Sequence, residues 1–303
     1  MFATISTATD HRAARLAGIG LMLAGICMFS CGDAIGKFLV GTYSVGQLML
    51  LRACAALVLL APSIWRHRGE FLRLERPWLQ FLRVVLSTLE VAAFFWAAAY
   101  LPLADVITYY LACPIFVTAG SAIFLREQVG WRRWSAVAVG FAGVLIALQP
   151  SAQTVTWPAL IALCGSMSFA ALMLITRSLR GAPDVVLAST QFIGTLTFGA
   201  ALTSFSWLTP SLRDLGFFVL AGAVSVVALL CVNRSLKLAP ASVVVPYQYS
   251  MIVWAVMFGY LIFGEMPSLA TLIGAAIIIA AGLYIFLREQ KLGKIEAEVA
   301  SPV

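Results

Sequence analysis

Apolar residues come in runs of about twenty along this chain. Short polar breaks such as WRHRGEFLRLER (65–76) and LREQVGWRRW (125–134) separate them. A bilayer core of about 30 Å takes roughly 20 apolar residues per helix. The pattern predicts ten spans, at about 16–38, 45–64, 78–100, 104–124, 132–149, 157–176, 185–206, 213–233, 241–263 and 269–287. Barrel strands would be shorter and would alternate polar with apolar, which these runs do not. The connections are short, so the expectation is a hairpin bundle with no soluble domain. One position breaks the pattern inside a run: Glu90 in STLEVAAFFW (87–96) has no polar face to share.

Composition sharpens the class. The chain is 62% hydrophobic and 11% charged, against about a quarter charged in ordinary globular proteins. A soluble fold would expose large apolar patches, so the fold class is all-α integral membrane, with the lipid bilayer as partner. The net charge of +7 is scattered between the apolar runs. That scatter argues against nucleic acid, and WRRW at 131–134 reads as an interface anchor. Cys27, Cys31, Cys54, Cys113, Cys164 and Cys231 all lie in apolar runs without a CxxC pair, and read as packing residues. The N-terminal MFATISTATDHRAARLAG lacks the order of a signal peptide, so the first span is expected to remain uncleaved.

Lys and Arg counts set the orientation. With the N-terminus inside, the cytoplasmic segments hold Arg12, Arg15, Arg66, Arg68, Arg73, Arg76, Arg126, Arg132, Arg133, Arg177, Arg180, Arg234, Lys237, Arg288, Lys291 and Lys294. The opposite side offers Arg213, plus Lys37 at a helix end. Both termini are expected in the cytoplasm.

The chain also resembles itself. Leu23, Gly25, Phe29, Lys37 and Leu39 recur 140 positions on as Leu163, Gly165, Phe169, Arg177 and Leu179. Tyr109 and Glu127 recur 138 positions on as Tyr247 and Glu265, and Gly143 matches Gly282. The shift implies a five-helix repeat, residues 1–150 and 151–303. Five is odd, so the second copy enters the membrane inverted, and inverted repeats with a site at their interface are a transporter architecture.

Charges inside a membrane face a cavity or a partner. At about 1.5 Å per residue, Glu90 lies near the midplane of the third helix. Arg83, Ser87, Phe94 and Ala97 share its face. Two readings stand for Glu90: it lines a cavity, or it pairs with Arg52 or Arg83 to hold helices together. Asp33 and Lys37 are one turn apart, acid before base. Arg52 lies at a similar depth, so an Asp33–Arg52 pair is possible, as is Arg52–Glu90, and Lys37, Arg52 and Arg83 are the candidate members of structural ion pairs. The fourth helix carries Tyr109, Tyr110 and Pro114, and the ninth opens with Val245-Pro246-Tyr247-Gln248-Tyr249. Prolines free carbonyls where a cavity or neighbour can satisfy them. The candidate cargo wall is therefore Asp33, Glu90, Phe94, Tyr110, Pro114, Tyr247 and Gln248. Tyr109 also fits an interfacial belt. Ala136/Gly140 and Ala276/Ala280 read as packing surfaces.

The segment 100–150 resembles the EamA-type repeat of the drug/metabolite transporter superfamily. The resemblance rests on Pro102 to Asp105, Pro114, Glu127, Gly140 and Gly143, with Arg52 fitting an arginine common in the second helix. Ala239-Pro240-Ala241, Glu265, Gly274 and Gly282 extend it to the second half. Departures are Asp105 for a small residue and no ninth-helix proline matching Pro114. The resemblance implies ten helices in two repeats and a central cavity lined mainly by helices one, three, four, six, eight and nine. It further implies export of small metabolites, and the chain is similar to the family's amino-acid exporters.

The expected function is a secondary carrier or facilitator for amino acids and related small metabolites in a bacterial inner membrane, acting as a monomer. No GxxxxGK[ST] loop is present to bind ATP. Asp33, Glu90 and Asp105 are the intramembrane candidates to carry a proton. The alternatives are a carrier for another small organic metabolite or drug, or a channel, and saturable counterflow separates carrier from channel. An intramembrane metalloprotease would need HExxH, whereas His11 and His67 lie in polar segments. No catalytic residue, metal or cofactor is expected.

Overall fold

The computed structural model describes residues 2–72, 76–126, 130–148, 156–203 and 207–264, with isolated positions between 269 and 284. Among them every regular element is helical. The first three expected spans appear as α1 (Phe2–Val40), α2 (Val45–Arg66) and α3 (Pro77–Tyr100). The fourth is divided into α4 (Leu103–Tyr110) and α5 (Cys113–Phe124). α6 (Trp131–Leu148), α7 (Trp157–Ser178), α8 (Asp184–Thr203) and α9 (Leu212–Leu238) are the fifth to eighth. The ninth is α10 (Ala241–Val244), a 3-10 segment (Val245–Ser250) and α11 (Met251–Phe263).

Seven helical segments among the described residues are long and apolar enough to cross a membrane, Val245–Phe263 being one. The seven include neither the divided fourth span nor the fifth, whose described apolar stretch is Trp134–Gly143. The expected tenth span is described only at scattered positions, and Glu127, Glu265 and Gly282 of the repeat lie outside the described residues.

Local chemistry explains the boundaries. Ser44 caps α2 by accepting the Gln47 N–H at 3.2 Å, the role a short hydroxyl side chain plays at a helix start. Ser211 accepts the Asp214 N–H at 3.1 Å and donates to its carboxylate at 2.8 Å. Pro77 and Pro158 occupy first turns, where a missing N–H costs nothing. Pro114 divides the fourth span. It has no N–H to give, and its ring clashes with the carbonyl four residues back, that of Tyr110. The freed Tyr110 carbonyl accepts Ser166 Oγ from α7 at 3.4 Å.

The most extensive packing joins α1 to α9, α2 to α8 and α3 to α7. Exchanging α1 with α7, α2 with α8 and α3 with α9 turns each of these pairs into another of them, or into itself. Repeat partners also share roles. Leu39 and Leu179 are both buried, and a side chain on either Gly25 or Gly165 would collide with its neighbour. Pro102 and Pro240 start α4 and α10 with nearly the same backbone, φ −54°, ψ 147° and φ −55°, ψ 141°. At the α2–α8 crossing, a Cβ on Gly199 would lie 2.6 Å from Leu50 N and 2.9 Å from Gly46 O, so only glycine permits that approach. Trp65, Trp78, Trp131, Trp157 and Trp207 are exposed at or beyond helix ends, where indoles anchor a bundle at the headgroups.

Candidate functional site

Where these helices meet lies a cavity of about 700 Å³ between protein atoms, its open mouth included. Phe29 and Asp33 line it from α1, Arg52 from α2, and Glu90, Phe94 and Phe95 from α3. Tyr110 enters from the end of α4. Phe169, Leu172 and Met173 come from α7, Gln191 and Phe192 from α8, Ser225 and Leu229 from α9, and Met251 from the start of α11. Both halves of the chain contribute, and the repeat partners Phe29 and Phe169 face the same space. Tyr110 and Met251 stand at the breaks in the fourth and ninth spans. Discontinuous helices at a cavity are the geometry by which membrane carriers hold solutes.

The charges are the chemically active part. Asp33 is 9% exposed and Arg52 7%, while Glu90 is half-buried. Among the described residues, none of these three side chains makes a hydrogen bond or an ion pair. Arg52 lies within Coulombic reach of both carboxylates, and its guanidinium carbon sits 5.1 Å from the Phe95 ring centroid. Arg52 Nε is buried without a partner. Two carboxylates and one guanidinium therefore look into the cavity with hydrogen-bonding capacity unspent. Buried polar groups are normally satisfied, so a solute or water is their natural partner.

Aromatic rings form the wall. Tyr110 Oη donates to the Glu90 carbonyl at 3.0 Å, tying α4 to α3. Its ring meets Phe94 edge-on at 5.2 Å and Phe169 at 6.2 Å. Gly165 makes this possible, since a Cβ there would lie 2.2 Å from Tyr110 Oη.

Arg83 is placed differently from its neighbours in sequence. It is fully buried and donates to Thr176 Oγ1 at 2.9 Å, Leu187 O at 2.7 Å, Gln191 Oε1 at 3.2 Å and Asn233 Oδ1 at 3.3 Å. The structural ion pair expected of Arg83 is thus replaced by four neutral acceptors on α7, α8 and α9. Arg52 likewise forms no ion pair among the described residues. Lys37 lies over the Phe263 ring at 4.9 Å, away from the cavity lining.

Of the expected cargo wall, Asp33, Glu90, Phe94 and Tyr110 line the cavity, whereas Pro114, Tyr247 and Gln248 do not. Gln248 is 1% exposed and sits behind Met173, its amide nitrogen 3.9 Å from the sulfur. The reason is the tighter winding of the 3-10 segment, which turns these side chains into the packing between helices. Phe95, Gln191, Phe192 and Met251 carried no signal in the sequence. Phe29 and Phe169 carried one, as members of the repeat. No cluster of three His, Cys, Asp or Glu side chains suited to a metal occurs among the described residues.

The sequence matches the EamA-like transporter family over residues 16–149 and again over 156–287. It is 29% identical to a riboflavin transporter of Rhizobium johnstonii over 290 residues, covering 94% of this chain and 96% of that protein. It is 26% identical to an S-adenosylmethionine uptake transporter of Rickettsia felis, covering 91% and 94%. It is 25% identical to a pseudopaline exporter of Pseudomonas aeruginosa, covering 87% and 94%. A solved crystal structure superposes with a TM-score of 0.73 at 15% identity, covering 92% of this chain and 98% of the other, which establishes a shared fold. With two matched copies spanning most of its length, the chain belongs to the EamA-like transporter family.

Proposed function

We propose that the protein is a secondary carrier exporting amino acids and related small zwitterionic metabolites across a bacterial inner membrane. It works as a monomer, by alternating access of the central cavity between two inverted repeats. The observation that carries this reading is the trio Asp33, Arg52 and Glu90, which faces the cavity with no hydrogen bond or ion pair to a described residue. Arg52 suits a carboxylate, because a guanidinium presents a planar fork of donors. Asp33 and Glu90 suit an ammonium group. The trio sums to one negative charge, so a zwitterion or a cationic amino acid fits better than an anion. Residues 1–150 and 151–303 form the two repeats, with both termini in the cytoplasm.

A second reading rests on the rings. Phe29, Phe94, Phe95, Tyr110, Phe169 and Phe192 all line the cavity, and offset or edge-on ring contacts favour a flat heterocycle. The riboflavin transporter of Rhizobium johnstonii and the S-adenosylmethionine transporter of Rickettsia felis bear names consistent with ring-bearing cargo. The readings converge on an amino acid that carries a ring.

The test is reconstitution into liposomes with labelled cationic, zwitterionic, anionic and flat neutral solutes, with and without a pH gradient. Saturable counterflow of amino acids supports the first reading. Movement of flat neutral solutes alone replaces it with the second, and flux that never saturates would indicate a channel.

A further inference from the structure

We infer that Arg83 is the bolt that holds the cavity shut at the end of the bundle bearing the basic connections, and that Gln191 links this bolt to the cargo site. The proposal rests on the carrier reading above and adds a device to it. At about 1.5 Å per residue, Arg83 lies roughly 9 Å in from the start of α3 at Pro77, and Glu90 lies about 10 Å beyond it. The bolt therefore stands between the cavity and that end.

Three features mark it as a movable closure. First, all four acceptors of Arg83 belong to the second half of the chain, on α7, α8 and α9, while Arg83 belongs to the first. The bonds cross the boundary that alternating access has to open. Second, every acceptor is neutral. Breaking a buried ion pair strands a charge, whereas a guanidinium leaving amides, a hydroxyl and a carbonyl for water is resolvated at once. Third, the layer keeps unspent polar atoms: Asn233 Nδ2 and, one turn nearer the basic end, Gln80 Oε1 are both buried without partners. Entering water would satisfy them, so the open form gains bonds that the closed form lacks.

Gln191 belongs to both structures. Its side-chain oxygen accepts from Arg83 at 3.2 Å, and the residue also lines the cavity. A solute that draws the Gln191 side-chain oxygen away from Arg83 removes one of the four acceptors of the bolt. Occupancy of the cavity thereby loosens the closure, which is the coupling a carrier requires. Asn233, which accepts from Arg83 at 3.3 Å, is absent from the cavity lining and offers a handle that leaves the cargo site alone.

The experiment uses Ser87→Cys in the full-length protein. Ser87 is fully buried one turn to the cavity side of Arg83, so a reagent entering from the basic end has to pass the bolt. The rate of its modification by a membrane-impermeant maleimide, applied from that side in sealed vesicles, reads the closure directly, with the parent protein as background. Adding Asn233→Asp gives the guanidinium a carboxylate acceptor, and charged hydrogen bonds are the stronger kind. Labelling should fall roughly tenfold or more and counterflow should slow, with affinity for externally added cargo unchanged. Arg83→Met in the same background should raise labelling. A saturating transported amino acid should raise labelling with native Gln191 and not with Gln191→Leu.

Unchanged labelling in both Asn233→Asp and Arg83→Met would overturn the bolt. A cargo response that survives Gln191→Leu would overturn the link. Because labelling without cargo is read independently of transport, a bolt that responds while no amino acid moves would refute the carrier reading and leave the closure standing. An Arg83→Met protein that fails to reach the membrane still leaves Asn233→Asp to decide.

Discussion

Replacing Glu90 by Gln separates a cargo ligand from a structural charge. The change keeps the size of the side chain and its capacity for hydrogen bonds, and removes one negative charge. In the structure, the Glu90 carboxylate makes no hydrogen bond or ion pair with a described residue. The bond from Tyr110 goes to its main-chain carbonyl and survives the substitution. Asp33 also remains as a counter-charge to Arg52. Nothing is stranded, and a half-buried charge inside the membrane is removed, so thermal stability in detergent should stay the same or rise. A hydrogen bond between a charged carboxylate and an ammonium group contributes about 1.5–3 kcal/mol. That corresponds to roughly ten- to a hundredfold in affinity. Apparent affinity for a cationic or zwitterionic cargo should fall by that factor in proteoliposomes, measured beside the melting temperature of the same preparation. A melting temperature that drops sharply while affinity holds would refute the reasoning, since it would make Glu90 part of a hidden structural pair.

Other expectations are as direct. Gly165→Ala places a methyl group 2.2 Å from Tyr110 Oη; overpacking of that kind costs about 1–3 kcal/mol, and both melting temperature and transport should fall. Tyr110→Phe removes the bond to the Glu90 carbonyl and should alter cargo affinity, while Gln248→Leu, behind the wall, should leave affinity alone; equal effects on affinity would misplace the wall. A cysteine in the 150–156 connection should be labelled from outside intact cells and one in the 66–76 connection should not; the reverse pattern would overturn the proposed orientation.

The helical spans were legible because chain length and bilayer thickness leave little freedom, and α2, α3, α7, α8 and α9 lie close to the expected runs, while α1 ends near the expected 38 but begins well before the expected 16. The charges were legible for a related reason: carboxylates such as Asp33 and Glu90 have few tolerable settings inside a membrane. Which face of each helix turns inward was not. A helix that is apolar all round has no polar stripe to mark its outside, and Phe192 or Met251 looks the same facing lipid or facing cargo. Only the repeat singled out Phe29 and Phe169. Arg83 illustrates the same limit. Its depth was readable, but its acceptors lie between 93 and 150 positions away in sequence, and no local pattern encodes them. Tyr247 and Gln248 lie outside the cavity lining, where a 3-10 segment replaces α-helix across 245–250, a local change of winding that residue types alone do not announce.

The most direct measurement is an experimental structure of the protein with a transported amino acid bound. The account predicts the solute in the cavity between the two halves, its carboxylate within hydrogen-bond reach of Arg52, its ammonium group on Asp33 or Glu90, and its side chain against Phe94, Tyr110 and Phe169. A solute held elsewhere, or held in this cavity with those three charges untouched, would contradict it.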